Sequence, residues 1–227
     1  GVSAKQMDND KSNGYESQVS RTEKRAKKIE RMHFLIVDEY NKRLPGNFAN
    51  VYIEGKIQRK KCGWEIYKID LEAVQDFLRI QRYIINKIDG GKFTIKEILS
   101  LALRYSIPQI FYDMALKKDN QLSETNMEKY DEVLNKYNEF VNKESCLVTD
   151  EYNHLTERYS WDIDKVDYDA ATLFKRVSKL TYKDILKNAL RTYLSEVNYR
   201  HAEEMVSLMV RHMDEYLYGG YESGQDE

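Results

Sequence analysis

Apolar side chains recur at helical spacing through Ile98, Leu99, Ala102 and Leu103, and again through Ile185, Leu186, Ala189 and Leu190. A three-and-four spacing of this kind marks a helix that buries one face. The two stretches read KFTIKEILSLALR at 92–104 and KLTYKDILKNALR at 179–191, identical at eight of thirteen positions and 87 residues apart. Two further recurrences lie 97 apart: WEIYKIDLEA at 64–73 with WDIDKVDYDA at 161–170, and IVDEYN at 36–41 with VLNKYN at 133–138. Three blocks in the same order indicate a tandem duplication.

Each copy predicts the same layout. A first helix covers about 20–43 or 122–143. An extended segment follows, then a helix opening at Asp70 or Asp167, and a last helix beginning at Thr94 or Thr181. Asp and Thr suit these starts because their oxygens accept from the unpaired N–H groups of a first helical turn. In the first copy VYIEGKIQ and WEIYKID flank RKKCG, which reads as a β-hairpin turning at its glycine. The offsets differ by ten residues (97 minus 87), an extra length of helix in the first copy that Gly90-Gly91 would end. The predicted fold is mainly α with small β elements (α+β), a tandem duplication of a helix–hairpin–helix–helix module. Its parts are a polar tail at 1–18, module one at 19–118, module two at 119–218 and a polar tail at 219–227, with the two modules joined around 117–123.

Charge separates the modules. The net charge is −2, yet residues 1–118 hold 23 Lys/Arg against 15 Asp/Glu, and residues 119–227 hold 13 against 23. A basic half points to an anionic partner. On the first helix Arg21, Lys24, Arg25, Lys28 and Arg31 fall on one side, opposite Ala26, Ile29, His33, Ile36, Val37 and Tyr40. Lys56, Arg59, Lys60 and Lys61 cluster at the expected hairpin. Clustered cations are what a phosphate backbone rewards, through release of condensed counterions.

Residues 94–118, TIKEILSLALRYSIPQIFYDMALKK, resemble a helix-turn-helix. Ser106 with Gln109 reads as a capping box, and Pro108 suits a first helical turn. The resemblance implies that Gln109, Tyr112, Lys117 and Lys118 are exposed for groove contact. KLTYKDILKNALRTYL, preceded by a strand and a helix, resembles the second helix of the ribbon-helix-helix family. In that family strand side chains enter the major groove. Asp162 and Asp164 on one strand face here oppose phosphate, so no DNA-reading strand residue is assigned from the resemblance.

Other chemistry is thin. Cys62 and Cys146 stand alone without CxxC spacing, as reduced thiols of an intracellular, cytoplasmic protein would. His201 and His212 are eleven apart, with Glu204 and Glu215 nearby, which is not the i, i+4 pair of a zinc helix. GxSxG, GxGxxG and GxxxxGK[ST] are missing. No run of roughly 18 apolar residues suggests a membrane span. The reading is therefore a non-enzymatic nucleic-acid-binding protein, a regulator or accessory factor, without metal or cofactor. DNA is favoured over RNA, and a protein partner or second copy would meet the acidic module. The competing reading is a protein-interaction or scaffold module without nucleic acid.

Overall fold

In the computed structural model, residues 33, 48–80, 94–118 and 127–215 are described. They form seven α-helices and one two-stranded antiparallel sheet, in line with the mainly α, α+β class. Strand β1 (Arg59–Tyr67) runs directly into α1 (Lys68–Ile80), followed by α2 (Ile95–Ser106) and α3 (Gln109–Leu116). After α4 (Met127–Glu144) and a 3-10 turn at Asp150–Tyr152, β2 (Thr156–Asp164) runs into α5 (Lys165–Ser178), α6 (Tyr182–Tyr193) and α7 (Glu196–Asp214).

The expected hairpin does not form. RKKCG is the first half of one continuous strand, and that strand pairs with β2. The reason is side-chain alternation: Cys62, Trp64 and Ile66 all face inward, and a period of two cannot be kept through a turn at Gly63. The positive φ of +84° falls instead at Gly55, in the extended segment before the strand. Gly63 lies opposite Ser160 at the middle of the register, with Lys61 opposite Asp162 and Glu65 opposite Arg158. Beneath the ribbon the two tryptophans meet edge to face, ring centroids 5.8 Å apart at 82°. Trp64 also stacks on Tyr182 at 4.7 Å.

Helices from both halves close over that face. α2 packs on α6, α1 on α7 and α3 on α5. Ile98, Leu99, Ala102 and Leu103 share one core with Ile185, Leu186, Ala189 and Leu190. Backbone bonds repeat at recurrent positions: Ala49 N donates to Arg104 O at 2.7 Å, and Cys146 N to Arg191 O at 2.8 Å. Lys68 N donates to Leu155 O at 2.9 Å, and Lys165 N to Gln58 O at 2.8 Å. Each strand is thereby anchored where it becomes a helix.

The helix starts divide by position. Thr181 caps α6, its Oγ1 accepting from Asp184 N at 3.2 Å. At α2 the Thr94 N–H donates to Glu97 Oε2 at 2.7 Å, half of a capping box. Asp70 and Asp167 sit inside the first turns of α1 and α5 and are fully buried. They accept from arginines rather than from backbone, a correction to the capping role read from sequence. The Ser106/Gln109 box is also not formed, because Gln109 turns away to Asn50 and Asp113. The first helix of module one, Gly90-Gly91 and both tails lie outside the described residues, His33 excepted. His33 is buried and stacked on Phe48, centroids 3.8 Å apart.

Candidate nucleic-acid interface

A two-stranded ribbon exposes every second side chain of each strand. Here the outward row carries Arg59, Lys61, Gly63 and Glu65 from β1, and Arg158, Ser160 and Asp162 from β2. Cations and anions alternate across the strands, three of the former against two of the latter. Arg158 leans over the bare backbone of Gly63: a Cβ there would lie 2.6 Å from its Nε. The absence of a side chain at position 63 is what lets the guanidinium cross the ribbon.

Asp164 belongs to the outward row by alternation but not by exposure. It is 3 % exposed and accepts from Arg104 Nη2 at 3.2 Å, with Arg59 Nε 3.8 Å away. One of the two carboxylates that opposed phosphate in the sequence is thus neutralised inside; Asp162 remains exposed. At the other end of the ribbon the recurrent position is Tyr67. Three cations surround its ring, with Lys183 Nζ at 5.4 Å, Lys187 Nζ at 5.9 Å and the Arg191 guanidinium carbon at 5.5 Å. Lys60 Nζ stands 3.9 Å from the Tyr168 ring centroid.

Two buried clusters hold the helices under this surface. Arg104 donates through Nε to Asp167 Oδ1 at 3.0 Å, and the Tyr112 hydroxyl donates to the same oxygen at 2.8 Å. Arg191 Nε donates to Asp70 Oδ1 at 3.0 Å, and the Tyr199 hydroxyl joins it at 2.8 Å. Burial opposes the charge on Arg104, but Asp167 beside it holds the guanidinium firmly protonated. Burial, then the neighbouring carboxylates, push Tyr112 and Tyr199 well above the phenol range, so both remain donors. Burial also pushes the Cys62 thiol up to about 11, which keeps it protonated at neutral pH.

The sequence-derived contacts are distributed unevenly. Lys56, Arg59, Lys60, Lys61, Lys117 and Lys118 are exposed. Arg21, Lys24, Arg25, Lys28 and Arg31 lie outside the described residues. Tyr112 is corrected: with 0 % exposure it packs in the core and cannot face a groove. Gln109 is exposed, but its amide is committed, accepting from Asn50 N at 2.7 Å and donating to Asn50 O at 3.0 Å. α3 therefore packs against α5 rather than standing free as a recognition helix. Arg158, Lys183 and Lys187 join the ribbon surface although sequence reasoning passed them over. The signal for Arg158 was available, since it lies 97 residues beyond Lys61.

Among the described residues no group of three or more His, Cys, Asp or Glu side chains is placed to hold a metal, and His201 Nδ1 lies 3.2 Å from Asp76 Oδ2. No described helix is long and apolar enough to cross a membrane. Comparison with protein-family models, with curated proteins and with solved structures finds no match.

Proposed function

We propose that the chain is a non-enzymatic duplex-DNA-binding protein, a regulator or accessory factor, whose ribbon meets the major groove while flanking cations hold the phosphates. The observation that carries this reading is the ribbon itself, one strand from each half with Arg59, Lys61 and Arg158 on its outward row. The B-DNA major groove admits a two-stranded ribbon. The deep, narrow major groove of A-form RNA does not, so DNA is the preferred duplex. Glu65 and Asp162 fit this role as acceptors for cytosine N4 rather than as phosphate contacts.

In this reading modules one and two, 19–118 and 119–218, are copies of one ancestral unit that fold together as an internal dimer. The recurrent bonds at Arg104/Arg191, Tyr112/Tyr199 and Ala49/Cys146 support it. The arrangement resembles a ribbon-helix-helix dimer drawn from a single chain. Arg21, Lys24, Arg25, Lys28 and Arg31 enter the proposal as further phosphate contacts through their charge alone.

The test is a titration with random-sequence duplex DNA and duplex RNA at several salt concentrations. Affinity for DNA should exceed that for RNA and fall steeply with salt. Replacing Arg59, Lys61 and Arg158 together with Ala should weaken DNA binding, while the salt slope, set by the flanking phosphate contacts at roughly 0.9 counterion each, should change less. A folded wild-type protein that binds neither duplex at low salt would overturn the reading. It would promote the protein-interaction alternative, which one observation favours: Val197, Leu208 and Met213 expose apolar surface along α7.

A further inference from the structure

Helix α7 buries one side and leaves a second apolar row in water. Tyr199, Ala202 and Val206 are buried in the core. Val197, Met205 and Leu208 are exposed, and with His201 and His212 they follow the three-and-four spacing of a single helix face. Leu208 is the most open apolar member of that row, at 55 %. Exposed apolar rows of this kind mark interaction surfaces.

Charge indicates what the row meets. Along one edge of it lie Arg200, Glu204, Arg211 and Glu215, all exposed. Their signs alternate. Reversing the helix about a point between Ser207 and Leu208 lays Glu204 on Arg211 and Arg200 on Glu215, so the edge is complementary to its own reverse. The same reversal brings Leu208 beside Leu208 at the centre and seats Met205 between Leu208 and His212 of the second copy. A surface that matches itself after a half-turn is what a two-fold dimer requires. Within one chain Arg200 lies 3.6 Å from Glu196, and Arg211 donates to Ser207 Oγ at 3.3 Å. Both are solvent-exposed contacts, and exchanging them for a carboxylate of another chain costs little.

We propose that the exposed face of α7 is a homodimer interface, in which the helix packs antiparallel on α7 of a second copy. The apolar rows meet, flanked by Glu204–Arg211 and Arg200–Glu215 ion pairs formed twice about the axis. The apolar contact supplies the attraction. The exposed pairs add little affinity but set orientation and register. One helix pair, roughly 28 Å long for the 19 residues of α7, makes a small interface. The dissociation constant should therefore be on the order of micromolar. α7 takes no part in the ribbon, so the dimer stands or fails apart from the nucleic-acid reading.

Sedimentation equilibrium of the full chain, without nucleic acid, is the test. The mass should rise from one chain to two as the concentration passes through the micromolar range. Leu208→Asp should weaken association roughly tenfold or more while circular dichroism remains helical. Glu204→Lys and Arg211→Glu should each weaken it about fivefold, because each sets like charges together twice per dimer. Combining the two reverses both signs and should restore association to near the wild-type level. That rescue is specific to the antiparallel register, and it carries the test should Leu208→Asp misfold. A wild-type chain still monomeric at about a hundred times the expected constant overturns the proposal and leaves the face to a different protein. So does an undiminished dimer in a folded Leu208→Asp protein. A double reversal that associates no better than the single ones overturns the antiparallel register.

Discussion

Arg104 on α2 and Asp167 on α5 are joined at 3.0 Å in the buried interior, and Arg191 on α6 and Asp70 on α1 are joined at the same distance. Each pair links the first half of the chain to the second. Neither buried arginine pairs with the recurrent aspartate of its own half, so both ion pairs favour the interleaved arrangement. Burying an ion pair adds little net stability by itself, whereas breaking one leaves an uncompensated charge.

Loss of the two carboxylates should therefore be costly and unequal. Asp167→Ala leaves Arg104 with Asp164, which already accepts at 3.2 Å. Asp70→Ala leaves Arg191 beside the Tyr67 ring, with a second nitrogen, Nη2, that has no partner even in the wild type. Urea unfolding should show a loss of about 3–5 kcal/mol for Asp70→Ala and a smaller one for Asp167→Ala. Equal losses would show that Asp164 does not compensate.

Leu99 and Leu186 lie at the α2–α6 contact and have essentially no exposed surface. Leu99→Ala and Leu186→Ala should each cost about 2–5 kcal/mol in the same measurement. A well-packed shared core also predicts a single cooperative transition in both variants. Separate melting of the two halves would contradict the interleaved core.

The pH dependence should carry a signature of His33. Burial pushes its imidazole down from the ordinary 6.5 to about 4. Between those values the unfolded chain binds more protons than the folded one, so stability rises with pH through this window. The contribution is fully present above about 6.5 and is lost as the pH falls toward 4, amounting to about 3 kcal/mol at most. His33→Phe should flatten this part of the stability curve relative to wild type. Parallel curves for the two proteins would show that His33 does not titrate in this way.

The cations around Tyr67 make the ribbon ends inequivalent. Lys183 and Lys187 belong to the acidic half in sequence but stand against β1 in the fold. Replacing both with Glu should weaken duplex DNA binding at low salt and reduce the salt slope by up to about two contacts. Lys117→Ala with Lys118→Ala, at the far end of α3, should change little. A reversed order of the two effects would move the DNA surface away from the ribbon.

Much of the local structure was legible in the chain. The three-and-four apolar spacing placed α2 and α6, Thr94 and Thr181 marked their starts, and the recurrence at 64–73 and 161–170 paired the two tryptophans that meet beneath the ribbon. These features depend on neighbours within a turn or on local helical periodicity, which is why residue order alone reveals them. The pairing of β1 with β2 was not legible, because RKKCG can turn or extend with the same residues and only the distant strand decides which. For the same reason Asp70 and Asp167 resembled caps, although arginines on other helices claim them. Tyr112 resembled a surface reader until α5 covered it. Alternation told which side chains share a face, but tertiary packing chose which faces meet water. It turned Asp164 inward to Arg104 and brought Lys183 and Lys187 of the acidic half against Tyr67 on the strand of the basic one.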